Sequence, residues 1–401
     1  MHRSQPPAPG GRHGVELADV VRQWLDHGGS LTGLVPVQQQ ALQAIRACRT
    51  AALGATICVC GQCGSVQVRY HSCRNRHCPK CQTLAKERWL AARMDELLPV
   101  PYFHLVFTLP HGLNPLVQGN LRPLYTLLFH SVAATLREFG HNPRWLGGEL
   151  GFTLVLHTWD QILSQHVHLH AIVTGGALAQ PGRWRAGKPG FLFPVRALSR
   201  VFRGKFIAGL KQLRNRGGLR YAGQQAPLAD QGAFHHFLET LYRHDWVVYA
   251  KPAFAGPAQV LEYLGRYTHR VAIANHRLIA IEDGHVRFTW RDRAQSNKPK
   301  TLSLTLAEFM RRFLLHILPP GLMRIRHYGI VANRHKRHLL QQCRLALQQP
   351  APAPREPESV AAMLWRVLQI DITRCPVCRT GELHPFPRLP NSTGPPATHV
   401  A

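Results

Sequence analysis

Three histidines alternate with apolar residues in the run His166-Val167-His168-Leu169-His170. On an extended strand, residues two apart share a face. The imidazoles then project one way, while Val167, Leu169, Ala171 and Val173 project the other. Same-face neighbours lie about 6.5–7 Å apart along a strand, so two imidazoles can lean onto one divalent ion and leave its other positions open. The alternative is a half-buried strand that turns polar side chains to water. A second pair, Tyr263 and Tyr267, stands four apart after Pro257 in PAQVLEYLGRYTHR. On a helix these phenols share a face, about 5–6 Å apart at Cβ, with Arg266, His269 and Arg270 beside them for phosphate. Such aromatic pairs more often pack into a core; the basic neighbours favour chemistry. Together the two pairs suit strand transfer. The ion polarises a phosphate, and a tyrosine oxygen attacks phosphorus, giving a covalent phosphotyrosine and a free 3′ hydroxyl.

A third cluster is sulfur. Seven of the ten cysteines lie between Cys48 and Cys81. The clearest frame is Cys60-x2-Cys63, fourteen residues, then Cys78-x2-Cys81, two thiolate pairs for one tetrahedral zinc. Cys48, Cys73 and His77 are further donors, able to exchange into that site or to build a second; Cys58 and His71 are also left over. Cys375-Pro-Val-Cys378 is half of another site.

The composition points the same way. Lys+Arg number 49 against 21 Asp+Glu, a formal charge of +28. That excess favours a polyanion, nucleic acid first and an acidic membrane second. The N-terminal run MHRSQPPAPGGRHG has no apolar stretch of a signal peptide, and no uncharged apolar run is long enough to span a membrane. A reducing cytoplasmic setting is expected, where clustered cysteines read as metal ligands rather than disulfides.

The elements that must position these groups follow from periodicity. Short helices are expected near Leu17–Trp24 and from Pro36, and a longer one over 83–98. Strands are expected at 102–109, 152–158, the histidine run, 246–250, 276–282, 285–291 and 301–305. The histidine strand should pair antiparallel with 152–158 and end at Gly175-Gly176. The apolar segment 116–140 reads as a helix on the sheet. Residues 181–230, rich in Gly, Arg, Pro and Gln, read as a basic face, either solvated or following a DNA backbone. The segment 306–318 reads as an amphipathic helix carrying Arg311, Arg312 and His316. Arg324, Arg326, Arg334, Lys336 and Arg337 flank an aromatic in a dense basic stretch suited to nucleic acid. The expected architecture is α+β: a zinc-binding module, then a mainly antiparallel sheet flanked by helices, then a basic helical C-terminal region. Its divisions are a disordered leader 1–14, a helical zinc-binding domain 15–98, a catalytic domain 99–305, a basic DNA-binding region 306–348, and a Pro-rich linker, CxxC segment and tail over 349–401.

At these residues the chain resembles a known group. HVHLH fits the His-hydrophobic-His signature of the HUH endonuclease superfamily, with Tyr-x3-Tyr following as in its two-tyrosine members. In order, CRNRHCPKCQ, YFHLVFTLP, LHTW, HVHLHAIVTGG, WVVYAKP, YLGRYTHRVAIAN and RIRHYGIVANRHKR resemble the transposases of the insertion-sequence-91 family, over roughly residues 15–380. The family's proline between the first two histidines is Val167 here. The resemblance implies a structural Zn2+ in the N-terminal domain, a catalytic Mg2+ or Mn2+, and rolling-circle-type transposition through single-stranded DNA in a bacterial, nucleoid-associated setting. It implies His168 and His170 as the metal pair and Tyr263 and Tyr267 as nucleophiles, the order of attack left open. His166 remains a third ligand, a supporting group or a DNA contact. A further ligand would come from His104, His157, Gln259 or Glu262. No membrane partner is expected, and a homo-oligomer stays open. Two other functions fit part of the pattern: a rolling-circle replication initiator that nicks an origin, and a non-catalytic zinc-dependent DNA-binding remnant. The second would need neither the histidine nor the tyrosine pair.

Overall fold

The structure is a computed structural model that describes residues 14–180, 182–254, 259–260, 265, 272–292, 295–352, 356 and 358–386. In chain order the elements are α1 (Leu17–Asp26), α2 (Pro36–Ala47), β1 (Ala55–Cys60), β2 (Val66–Tyr70), α3 (Gln82–Met94), β3 (Tyr102–Thr108), α4 (Asn114–Gly119), α5 (Leu121–His141), β4 (Glu149–Trp159), β5 (Gln165–Gln180) and β6 (Arg183–Ala186). There follow α6 (Val195–Asn215), α7 (Gln231–Tyr242), β7 (Val248–Phe254), β8 (Leu278–Glu282), β9 (His285–Asp292), β10 (Lys298–Thr305), α8 (Leu306–Leu314), β11 (Ile325–Gly329), α9 (Lys336–Ala346), α10 (Val360–Leu368) and β12 (Leu383–Pro385). The expected α+β architecture is the one found.

The histidine run lies in β5, and its period-two pattern sets the middle of the molecule. Val167, Leu169, Ala171 and Val173 are buried on one face. Beside them lie Leu105 and Phe107 of β3 and Leu154 and Leu156 of β4. The central sheet runs β11-β4-β5-β3-β7, with β6 paired to β5, and its pairings are antiparallel. Helices α5 and α6 share the core on its apolar face. Leu198, Phe202, Phe206 and Leu210 recur every four residues along α6, a single stripe, and the Phe202 ring meets Phe107 edge-on at 5.3 Å. Each such side chain withdrawn from water stabilises the fold by about 1.5–3 kcal/mol.

A second core joins distant parts of the chain. Leu17, Val20 and Val21 of α1 and Leu42 and Ile45 of α2 cluster with Phe288 of β9 and Phe309, Met310 and Phe313 of α8. Here β8, β9 and β10 form a separate antiparallel sheet. Thr305 caps α8, its hydroxyl accepting from the Glu308 N–H at 3.2 Å. The N-terminal helices thus pack on the segment between β7 and β11. A third sheet, β12-β1-β2, brings the C-terminal segment onto the hairpin at Ala55–Tyr70.

Several expectations are corrected. β5 does not end at Gly175-Gly176 but continues to Gln180. The glycines serve close approach instead. A Cβ at Gly175 would meet the Pro101 carbonyl at 2.8 Å, and one at Gly176 the Trp184 ring at 2.6 Å. Among the described residues of 181–230 there are also a strand and two helical segments, because the α6 stripe needs burial. The basic stretch at 324–329 is strand β11, paired with β4, so the 306–348 region is not wholly helical. Residues 1–13 and 387–401 and most of the tyrosine-bearing segment, including Tyr263, Arg266, Tyr267, His269 and Arg270, lie outside the described residues.

Candidate active site

The polar face of the central sheet gathers histidines from three adjacent strands. His168 and His170 stand two apart on β5, and His157 of β4 is the cross-strand partner of His168. Directly opposed same-face side chains are about 4.5–5.5 Å apart at Cβ, so this register brings a third imidazole to the pair. The three are buried, and one ligand atom from each falls within 4.8 Å of the others. His168 Nε2 and His170 Nε2 are 3.1 Å apart. Two nitrogens bound at about 2.1 Å to one ion are separated by about 3.0 Å at right angles and about 3.4 Å at the tetrahedral angle. The His168–His170 spacing therefore fits a divalent ion, with His157 close by as a third donor.

The outer nitrogens are held as well. His168 Nδ1 lies 2.9 Å from the His166 carbonyl oxygen, to which it donates. His170 Nδ1 lies 2.8 Å from His104 Nε2 on β3, and the two rings stack with centroids 5.1 Å apart. Burial, helped by the Lys251 charge, pushes His104 down to about 4, so it stays neutral and can accept that hydrogen bond. With Nδ1 protonated in both ligands, each Nε2 presents its lone pair to the centre. Trp159 stacks on His157 with ring centroids 4.8 Å apart.

The sequence candidates therefore separate. His157 joins His168 and His170, whereas His104 supports His170 from behind. His166 is not in the group: its Nδ1 meets His111 Nε2 at 3.0 Å, and its ring lies 4.9 Å from that of His168. Gln259 is exposed, and Glu262 lies outside the described residues.

Among the basic candidates, Arg311 and Arg312 both bind Glu308, each through Nε at 2.6 Å, and Arg312 also donates to the Ile162 carbonyl. Arg324 donates to Gln82 Oε1, and its burial pushes its guanidinium down to about 10. Arg326 lies over the Phe129 ring at 4.1 Å, and Lys336 pairs with Glu96. Arg334 and Arg337 are exposed. The dense basic run thus serves the fold as well as the surface.

The cysteines regroup. The frame Cys60, Cys63, Cys78, Cys81 does not form. Cys78 and Cys81 gather with Cys48 and Cys73, while Cys60 and Cys63 lie with Cys375 and Cys378. Cys60 ends β1 and Cys63 lies in the turn to β2, so strand β2 stands between the two halves of the expected frame. His77 belongs to neither group; burial, then the Arg76 charge, pushes it down to about 3. In the first group Cys81 Sγ lies 3.6 Å from both Cys48 Sγ and Cys73 Sγ. Sulfurs about 2.3 Å from a tetrahedral zinc are about 3.8 Å apart, so the spacing fits. The neighbouring Cys73 thiol holds Cys48 down to about 6, and Cys48 in turn pushes Cys73 and Cys78 up. Four crowded thiols cannot all ionise unaided, and a dication removes that conflict.

Comparison with known proteins agrees with this layout. A family model described as "Transposase zinc-binding domain" matches residues 17–109, and one described as "Putative transposase" matches residues 151–338. The chain is 44% identical over 390 residues to "Putative transposase y4qJ" of Sinorhizobium fredii (strain NBRC 101917 / NGR234), covering 96% of this chain and 98% of the relative. It is 29% identical over 353 residues to the "Transposase for insertion sequence element IS801" of Pseudomonas savastanoi pv. phaseolicola, covering 86% and 83%. No helix among the described residues is long and apolar enough to cross a membrane. The chain belongs to the insertion-sequence-91 family of transposases.

Proposed function

We propose that this transposase nicks and joins single-stranded DNA through a covalent 5′-phosphotyrosine, driving rolling-circle-type transposition of an insertion sequence. The observation that carries this reading is the convergence of His157, His168 and His170 on the polar face of the central sheet. A divalent ion held there would polarise a phosphoryl oxygen and offset the charge that develops during transfer. Three imidazoles make a nitrogen donor set, which suits Mn2+ better than oxygen-seeking Mg2+. The strand and its supporting hydrogen bonds fix the ligand nitrogens before DNA arrives, so little reorganisation accompanies binding. Tyr263 or Tyr267 supplies the attacking oxygen. A bond forms from that oxygen to phosphorus, the bond from phosphorus to the 3′ oxygen breaks, the phenol gives up its proton and the 3′ oxygen gains one. The formal charge of +28 draws the polyanion to the surface.

Denaturing electrophoresis of the protein with labelled single-stranded transposon-end DNA and Mn2+ tests the reading. A covalent adduct is expected. His168→Ala should lower its formation at least about 100-fold, the scale at which loss of an electrostatic stabiliser is felt. Adduct formation by a Tyr263→Phe/Tyr267→Phe double variant, or unchanged cleavage by His168→Ala, refutes the assignment.

A further inference from the structure

The segment after residue 358 returns to the hairpin at the opposite end of the sequence. Cys60 Sγ lies 3.7 Å from Cys378 Sγ, and Cys63 Sγ lies 3.7 Å from Cys375 Sγ. These separations are close to the edge of a zinc–sulfur tetrahedron, about 3.8 Å, and far from the ~2.05 Å of a disulfide. Each CxxC pair forms the same kind of turn. The Gln62 and Cys63 N–H groups donate to Cys60 Sγ at 3.4 Å, as the Val377 N–H does to Cys375 Sγ. The Gly381 N–H donates to Cys378 Sγ at 3.3 Å. Such donors favour thiolates. The Ser65 hydroxyl lies 3.1 Å from Cys375 Sγ, a further polar contact at the cluster. Gly381 also leaves room for the sulfurs: a Cβ there would stand 2.4 Å from Cys60 Sγ.

Apolar burial contributes little to holding this unit together. Ile57, Val66 and Val68 on its strands are about half exposed, and β12 contributes only three residues to the sheet. A sheet this small, with almost no apolar interior, is marginal in water. We propose that Cys60, Cys63, Cys375 and Cys378 hold a second structural zinc ion, distinct from the one at Cys48, Cys73, Cys78 and Cys81, which pins the C-terminal segment to the N-terminal hairpin. The ion closes a loop of chain 312 residues in span that contains the central sheet. The described residues 358–386 are then part of the zinc-binding module. The inference does not depend on the strand-transfer chemistry.

Zinc content of the full-length protein, purified without added reductant or chelator and read by elemental analysis together with native mass spectrometry, tests it. Two zinc ions per chain are expected. Cys375→Ser/Cys378→Ser and Cys60→Ser/Cys63→Ser should each hold one, and combining all four should still leave one. Limited proteolysis should release the fragment beyond the linker from these variants but not from the parent. Cys378→His, which keeps a zinc donor, should retain two ions and so separates ligand loss from misfolding. One zinc in the parent with both double variants unchanged overturns the proposal. So does loss of zinc in one double variant but not the other, or a zinc-free parent lighter by the hydrogens of two disulfides.

Discussion

The histidine face of the central sheet and the cysteine-rich module beside it both gather metal donors, but by opposite means. Behind the histidines stands a close-packed apolar layer. Leu169 and Val167 are wholly buried, and the register of β4 on β5 brings His157 opposite His168. That site is assembled by folding, so an ion bound there as proposed would meet donors already in place. The hairpin β1–β2 has no comparable layer, and its buried side chains are mainly the cysteines themselves. There the ion is part of what makes the fold. On the proposed function, a catalytic ion could leave or exchange without loss of the sheet, whereas a structural ion would have to stay for the module to persist.

The largest effect should come from breaking the first cysteine group. Cys78 is 1% exposed and sits in the core shared by α1, α2 and α8. Structural zinc contributes about 10–16 kcal/mol of folding free energy in zinc-finger peptides, comparable to the whole ~5–15 kcal/mol margin of a typical domain. Cys78→Ser should therefore cost one zinc per chain and unfold α1 and α2, read as hydrogen exchange across residues 17–47. Full protection there with the zinc lost would erase the contrast between the two regions.

A smaller loss is expected from the layer behind the histidines. Leu169→Ala leaves every donor in place but opens a cavity in the main core, at a cost of about 2–5 kcal/mol. Chemical denaturation should shift accordingly while zinc content stays unchanged. A drop in zinc content would mean that the two regions fold as one.

How much of this was legible in the sequence follows from how local each signal is. The alternation in β5 needs only neighbouring residues, and it marked both the strand and the face that carries His168 and His170. The apolar stripe of α6 was equally present, at Leu198, Phe202, Phe206 and Leu210, but surrounding glycines and arginines obscured it. His157 was one of four candidates, because choosing it requires the cross-strand register. The cysteine grouping is the least local feature. Two CxxC pairs fourteen residues apart are a sound zinc frame by spacing, yet the first pair sits in the turn of a hairpin, and the partners of Cys60 and Cys63 come from the other end of the chain. The basic stretch near Arg324 misled differently: its composition describes a DNA surface, while its backbone completes a sheet edge.

The finest distinction concerns how far the histidine site is preassembled. His104 Nε2 meets His170 Nδ1 at 2.8 Å, which orients the ring and leaves its Nε2 facing that of His168. Supporting partners of this kind typically change metal affinity by about 10–100-fold. His104→Ala should weaken Mn2+ binding on that scale, measured by calorimetry or by the free-ion signal in electron paramagnetic resonance, and the cavity left by the buried ring should also lower stability. His104→Gln offers an amide oxygen as acceptor and should recover part of the affinity. If both variants bind Mn2+ like the parent, the strands alone position His170. If the alanine variant loses affinity and the glutamine variant regains it, the buried imidazole of β3 holds the ligand in the tautomer that binding requires.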